Sequence, residues 1–132
     1  MKALLQRTGV AALLIVLASE AAWVDNFIRH LSPERRLSAL TCKHYRRDLG
    51  KLVEYSYRQG LDAWADIDND HMRAYSAKAY RRGLSSRTIQ RQLSAARTFF
   101  RYLLRERRVK KNPVLDIRAP KSGKRLPENL DA

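Results

Sequence analysis

The chain holds one cysteine, Cys42, among its 132 residues. A single thiol excludes an intramolecular disulfide and any zinc site built from clustered thiolates, and it fits a reducing compartment. Glycine and proline are scarce, with five and four residues, so the composition is not that of a disordered or fibrous chain. There is no Gly-rich phosphate loop. The apolar run Val10–Ala18 has nine residues, too few for a bilayer span, which needs about 20. Acids are also few: 13 Asp+Glu stand against 27 Lys+Arg, a formal net charge of +14. The length suits one domain with its own core and excludes a large multidomain enzyme.

The positive charge is unevenly placed. From His71 to Arg125 there are 17 Lys/Arg and 2 acids, Glu106 and Asp116, while the remaining 77 residues carry 10 and 11. Solubility does not require that asymmetry. It marks a surface that faces a polyanion, with nucleic acid ahead of an anionic membrane. Nineteen of the basic residues are Arg, whose planar fork suits phosphate and base-edge contacts.

The first 22 residues read MKALLQRTGVAALLIVLASEAA. Lys2 and Arg7 before the apolar run resemble a secretory signal peptide, whereas Glu20 near the cleavage region and the basic remainder argue for a cytoplasmic chain. The same stretch also reads as an extra helix packed on the domain, as a divergent leader or as a mis-assigned start. We set residues 1–19 apart from the fold.

Beyond Ala22 the apolar residues recur at helical spacing, which predicts an all-α fold. A first helix over about Glu20–Leu31 carries Trp23, Phe27 and Leu31 on one stripe, and Ser32-Pro33 ends it. A second opens at Leu37-Ser38, with Ser38 as N-cap and Leu37 stapled to Cys42; Tyr45, Leu49, Leu52 and Val53 face inward, and Gly60 stops it. A loop over Leu61–Ile67 leads to a third helix capped by Asp68, with Met72, Tyr75, Ser76 and Ala79 inward and Gly83 at its end. The fourth begins with Ser85 as N-cap and Leu84 stapled to Ile89, and is predicted to reach Arg108. Its inner face is Ile89, Leu93, Ala96, Phe99, Phe100 and Leu103. Opposite lie Arg87, Arg91, Ser94, Thr98, Arg101, Arg105 and Arg108, a polar rail about 36 Å long for a helix of about 24 residues. Val109–Ala132, with three prolines and six Lys/Arg, reads as a basic extended linker with at most a short turn near Val114–Ile117. A short internal repeat is visible: Leu37-Ser38-x-x-Thr41…Tyr55 recurs 47 residues later as Leu84-Ser85-x-x-Thr88…Tyr102, suggesting two related helical hairpins.

Catalytic and metal constellations fail on spacing. Asp66-x-Asp68-x-Asp70 opens like an EF-hand loop, but His71 stands where Gly belongs and Ala77 where Glu belongs, so these aspartates read as capping and solvated groups. His30, His44 and His71 fall on three helices without ligand spacing. Cys42 reads as a small core residue, and Tyr45, Tyr75 and Tyr102 lie on or beside apolar stripes. No cofactor, metal or small-molecule substrate is implied. The candidate binding residues are the two helix starts, where free N–H groups and the dipole favour phosphate: Thr41, Lys43, His44, Arg46 and Arg47 on the second helix, and Ser85, Ser86, Arg87, Thr88, Gln90 and Arg91 on the fourth. Ser94, Arg97 and Arg101 continue the fourth, and Lys121 follows in the tail. The set mixes phosphate anchors with groups able to reach base edges.

The stretch Leu37-Ser38-x-x-Thr41-x-x-x-Tyr45-Arg46-Arg47-Asp48-Leu49 resembles the second helix of the core-binding domain of tyrosine recombinases. Arg82-Gly83-Leu84-Ser85-Ser86-Arg87-Thr88-Ile89-Gln90-Arg91-Gln92-Leu93-Ser94-Ala95-Ala96-Arg97-Thr98-Phe99-Phe100-Arg101-Tyr102-Leu103 resembles the fourth. Lys111-Asn112-Pro113-Val114, Ala119-Pro120-Lys121 and Leu126-Pro127 are similar to the linker that follows, and the nearest branch is that of the Xer recombinases. The resemblance implies a SAM-like orthogonal four-helix bundle over residues 20–108. In the family that bundle is one jaw of a clamp on duplex DNA, with helices two and four against the major groove. It implies double-stranded DNA as partner, a full-length Xer-type recombinase as a possible second one, and a role in DNA integration and recombination, including chromosome segregation. The cutting tyrosine and its phosphate-stabilising partners belong to a separate catalytic domain in the family, without counterparts here. On this reading the chain is not itself an enzyme but a fragment, a truncated product or an excised domain. The alternatives are a helical regulator of recombination without catalysis, an active recombinase completed by a half encoded downstream, and a secreted or membrane-surface basic protein.

Overall fold

The computed structural model describes residues 20–31 and 38–121. The leader-like segment 1–19, the Leu37 half of the predicted staple and the tail beyond Lys121 lie outside the described residues. Those described form an all-α bundle: α1 includes 20–31, α2 is Ala39–Arg58, α3 is Asn69–Arg81 and α4 is Ser86–Arg105, with a 3₁₀ turn at Trp64–Asp66 between α2 and α3. No strand occurs among these residues.

The starts of α2, α3 and α4 are each set by a side chain that accepts from an N–H left without an intrahelical partner. The Ser38 hydroxyl accepts from the Thr41 N–H at 3.1 Å, and the Ser85 hydroxyl accepts from the Thr88 N–H at 3.1 Å. In both places the Ser and Thr hydroxyls also bond each other, at 2.9 and 3.0 Å, so the internal repeat is a repeat of cap geometry. Asp68 and His71 cap α3 reciprocally: the His71 N–H donates to Asp68 Oδ1 at 2.8 Å, and the Asp68 N–H donates to His71 Nδ1 at 3.1 Å. The backbone hydrogen bond from His71 is the main cause that lowers the Asp68 pKa. Asp66 accepts from the Ala63 N–H at 3.2 Å. These aspartates organise the backbone around α3.

The ends of α2, α3 and α4 share one device. In α2 and α3 the chain leaves through Gly60 and Gly83, at φ of 73° and 96°, with Leu61 N–H reaching back to the Ser56 carbonyl and Leu84 N–H to that of Ala79. This is the Schellman pattern, which glycine adopts without steric penalty. In α4 the same pattern comes earlier than predicted. Arg107 takes φ 60°, Arg108 N–H bonds the Leu103 carbonyl at 2.8 Å, and Arg107 N–H bonds that of Leu104 at 3.0 Å. The helix therefore ends at Arg105 and is about 30 Å long. No glycine marks the stop, so periodicity overshoots it. Arg108 leaves the rail altogether: its guanidinium lies 4.8 Å from the Trp23 ring centroid, over α1.

The core forms where α4 packs against α2 and α3. Leu49, Leu52, Met72, Ile89, Leu93, Phe99, Phe100 and Leu103 are at most 1% exposed, each contributing about 1.5–3 kcal/mol of burial. Phe27 brings α1 into this core, edge-on to Phe99 at 5.4 Å and to Tyr45 at 5.6 Å. Trp64 closes the other side, 4.8 Å from Phe99. Its indole N–H donates to the Glu20 carbonyl at 2.7 Å and its backbone N–H to the Glu20 carboxylate at 2.9 Å, which ties the 3₁₀ turn to α1.

Residues 109–121 lack regular secondary structure apart from a turn over 113–116, as the prolines and the Val114–Ile117 pattern predict. They are nevertheless packed. Val109, Val114 and Ile117 are 7%, 0% and 2% exposed and belong to the core. The Asn112 amide donates to the Arg97 carbonyl at 3.0 Å and accepts from the Val114 N–H at 3.0 Å. The segment is a strap laid against the body, where composition alone reads a linker.

Candidate nucleic-acid interface

The first turns of α2 lie beside the second and third turns of α4, where the two helices pack into one core. Thr41, His44, Tyr45 and Asp48 from α2, with Arg91, Ser94 and Ala95 from α4, line an open cleft of about 380 Å³. Four of the predicted residues, Thr41, His44, Arg91 and Ser94, are thus brought together by the fold. Arg87 and Arg101 share their ridge. From Ser94, Arg101 is seven residues on, about 20° around the helix and about 10 Å along it. Arg87, Gln90, Arg91, Ser94 and Arg101 are all exposed, and α4 contains no acidic residue.

Other predicted residues stand elsewhere. Lys43 is exposed but lies two residues from Thr41, about 160° around α2, on the far side from the cleft. Ser86 is 8% exposed and donates its hydroxyl to the Pro120 carbonyl. It is a clasp for the strap and is committed away from solvent. Its bond holds the next residue, Lys121, beside the first turn of α4. Ser85 and Thr88 spend their hydroxyls on the cap. Arg97 is half-buried and donates to the Ile117 carbonyl at 3.0 Å, so it secures the strap as well.

Electrostatically the cleft is governed by one acid. The Asp48 side chain is 3% exposed and receives Arg91 through two parallel bonds, Nε to Oδ2 at 3.1 Å and Nη2 to Oδ1 at 3.0 Å. Arg47 approaches the same carboxylate at 3.6 Å. A buried carboxylate is costly unless paired in this way. Behind it, Tyr75 is buried and donates to Gln92 Oε1 at 3.3 Å. Burial first, and the Asp48 charge second, push the Tyr75 phenol up to about 12. Tyr55 donates to the His71 carbonyl at 2.9 Å, and Tyr102 packs on Phe27 and Trp23. Burial raises the pKa of both phenols, so these tyrosines are neutral structural groups.

Two residues escaped the sequence reading. Asp48 is quoted in the motif above but its pairing spans 43 residues. Arg118 is exposed and lines a second cleft with Gln90, Ser94, Arg97 and Leu115. The only sequence signal at Arg118 is its charge within the tail. Among the described residues no group of three or more His, Cys, Asp or Glu is placed to hold a metal, and no helix is long and apolar enough to cross a membrane.

The profile described as "Phage integrase, N-terminal SAM-like domain" matches residues 24–107. Tyrosine recombinase XerC of Alcanivorax borkumensis is 50% identical over 108 residues, covering 82% of this chain and 34% of that protein. The XerC of Azotobacter vinelandii is 45% identical over 109 residues, 83% of this chain and 36% of its own length. That of Pseudomonas syringae pv. syringae is 40% identical over 108 residues, 82% of this chain and 36% of its own. The chain spans about a third of the length of these curated relatives. No solved structure matches. With 84 consecutive residues matched across the whole packed bundle, the chain belongs to the phage-integrase N-terminal SAM-like domain family.

Proposed function

We propose that this domain is the DNA-holding part of a Xer-type site-specific recombination system in the cytoplasm, with α2 and α4 presented to the major groove of a recombination half-site. The observation that carries this reading is the open cleft between the first turns of α2 and the second and third turns of α4, flanked by an acid-free ridge of Arg87, Arg91 and Arg101. A major groove about 12 Å wide admits a helix, and phosphates on either side would meet Arg87 and Arg101. A full-length Xer-type recombinase is the natural second partner, since cutting and rejoining are assigned no residue in this domain.

Binding to a duplex, followed by fluorescence anisotropy, tests the proposal. With about five phosphates neutralised, log K falls against log salt with a slope near −4.5, so affinity drops about 500-fold from 50 to 200 mM salt. Arg87→Ala and Arg101→Ala each flatten that slope by about 0.9. Arg58→Ala, at the far end of α2 and paired with Glu54 at 2.8 Å, leaves it almost unchanged. A salt-independent affinity, or equal effects of all three, would overturn the reading.

A further inference from the structure

The pair Asp48–Arg91 joins two helices at the wall of the cleft, and its geometry is specific. Asp48 occupies the Nε/Nη2 edge of the guanidinium. A guanidinium has five N–H donors in a rigid plane. Two are used, which leaves the opposite Nη1/Nη2 edge with its donors free. Arg91 is 47% exposed while Asp48 is 3% exposed, so the used edge faces the protein and the free edge faces outward. A free fork of two parallel N–H groups matches the O6 and N7 acceptors of guanine in the major groove. The carboxylate, which Arg47 also approaches at 3.6 Å, offsets part of the Arg91 charge and so weakens its attraction to phosphate. The remaining ridge arginines have no such partner: Arg87 and Arg101 make no ion pair or side-chain hydrogen bond among the described residues.

We propose that Asp48 is a specificity-determining positioning residue, which holds Arg91 flat and partly neutralised so that its outer fork reads a guanine edge. The inference rests on the DNA-holding function proposed above. It divides labour on the ridge: Arg87 and Arg101 supply sequence-independent attraction, and Arg91 supplies discrimination. Its distinctive consequence is one of sign. Removing the Asp48 charge frees Arg91 to reach a phosphate, so binding to an arbitrary duplex becomes tighter while sequence preference falls.

The test uses the full chain, a duplex pool randomised over about 20 base pairs, and one fixed duplex of mixed sequence. The wild-type chain enriches guanine at a position that Asp48→Asn and Arg91→Lys both lose. On the fixed duplex Asp48→Asn binds up to about eightfold tighter at 0.1 M salt, with a slope steeper by up to about 0.9. Arg91→Lys keeps the charge but not the fork and leaves the slope unchanged. A wild-type chain that binds no duplex refutes the proposed function itself. A chain that binds but enriches nothing, or variants that keep the guanine preference, overturns only the role of Asp48 and Arg91. Thermal melting checks that Asp48→Asn is folded; if it is not, Arg91→Lys decides alone, loss of the preference supporting the inference and retention overturning it.

Discussion

α2 and α4 begin with the same cap and have the same length, 20 residues each, yet the fold treats them differently. In α4 burial starts at the first residue, Ser86, and continues through Leu103. In α2 no residue before Asp48 is buried; Cys42 and Tyr45 are only partly covered against the core, and Arg46 pairs with Asp25 of α1. One local motif therefore serves two ends. At α4 it starts a helix whose other faces are fixed by the core and the strap, leaving a rigid exposed ridge. At α2 it starts a helix that leans over the cleft and is anchored at Asp48. Capping sets where a helix begins; packing sets how firmly that beginning is held.

The sharpest way to break the comparison is a pair of equivalent positions. Ile89 and Cys42 are related by the 47-residue repeat, but Ile89 is fully buried and Cys42 only partly. Ile89→Ala is expected to cost about 2–5 kcal/mol through lost burial and a cavity. Cys42→Ala is expected to cost under about 1 kcal/mol. Chemical denaturation measures both, and equal values would show α2 to be as tightly packed as α4.

A smaller effect separates the two helices through their contacts with α3. Tyr75, against Gln92 of α4, has its phenol raised to about 12, whereas Tyr55 of α2 is raised less. A raised phenol favours folding while both states are protonated, and that contribution is lost as pH climbs from the ordinary tyrosine value towards the folded one. Wild-type stability should thus fall by about 2 kcal/mol between pH 10 and 12 from Tyr75. Tyr75→Phe should remove most of that fall, and Tyr55→Phe less of it, in denaturation midpoints measured across this range. Asp68 works at the acid end with the opposite sign. Its lowered pKa contributes stability above the ordinary carboxylate range, lost as pH falls through the depressed value, and Asp68→Asn should flatten that acid limb.

The smallest effect probes the caps themselves. Ser38→Ala and Ser85→Ala each remove one cap bond, worth about 1 kcal/mol. For Ser85→Ala the loss should appear in the global midpoint, because the core begins one residue later. For Ser38→Ala it should appear as faster amide exchange confined to the first turns of α2, with little change in the midpoint. Global loss in both would show the two helix starts to be held equally firmly.

Much of this was legible in the chain. Ser38, Asp68 and Ser85 announce helix starts, Gly60 and Gly83 announce ends, and the stripe from Ile89 to Leu103 announces the buried face of α4, because caps and periodicity act within about four residues. The early stop at Arg105 was not legible, since Arg107 adopts a conformation that no glycine advertises. The strap was missed because its apolar residues, Val109, Val114 and Ile117, are spaced irregularly among lysines and prolines, and only the packed body shows where they insert. Ser86 and Arg97 look like binding groups in sequence and are turned to Pro120 and Ile117 by contacts 34 and 20 residues away.

By itself the sequence determined the helices, their caps, the all-α class, the acid-poor ridge of α4 and a family resemblance strong enough to anticipate the match. Each of these follows from neighbours along one helix or from composition. Tertiary structure alone decided which cations and hydroxyls are free. Lys43 was turned from the cleft, Ser86, Arg97 and Arg108 were committed to the body, and a buried Asp48 was set against Arg91 from another helix. Those assignments depend on contacts between segments tens of residues apart, and a charge counted in sequence has no direction until such a contact supplies one.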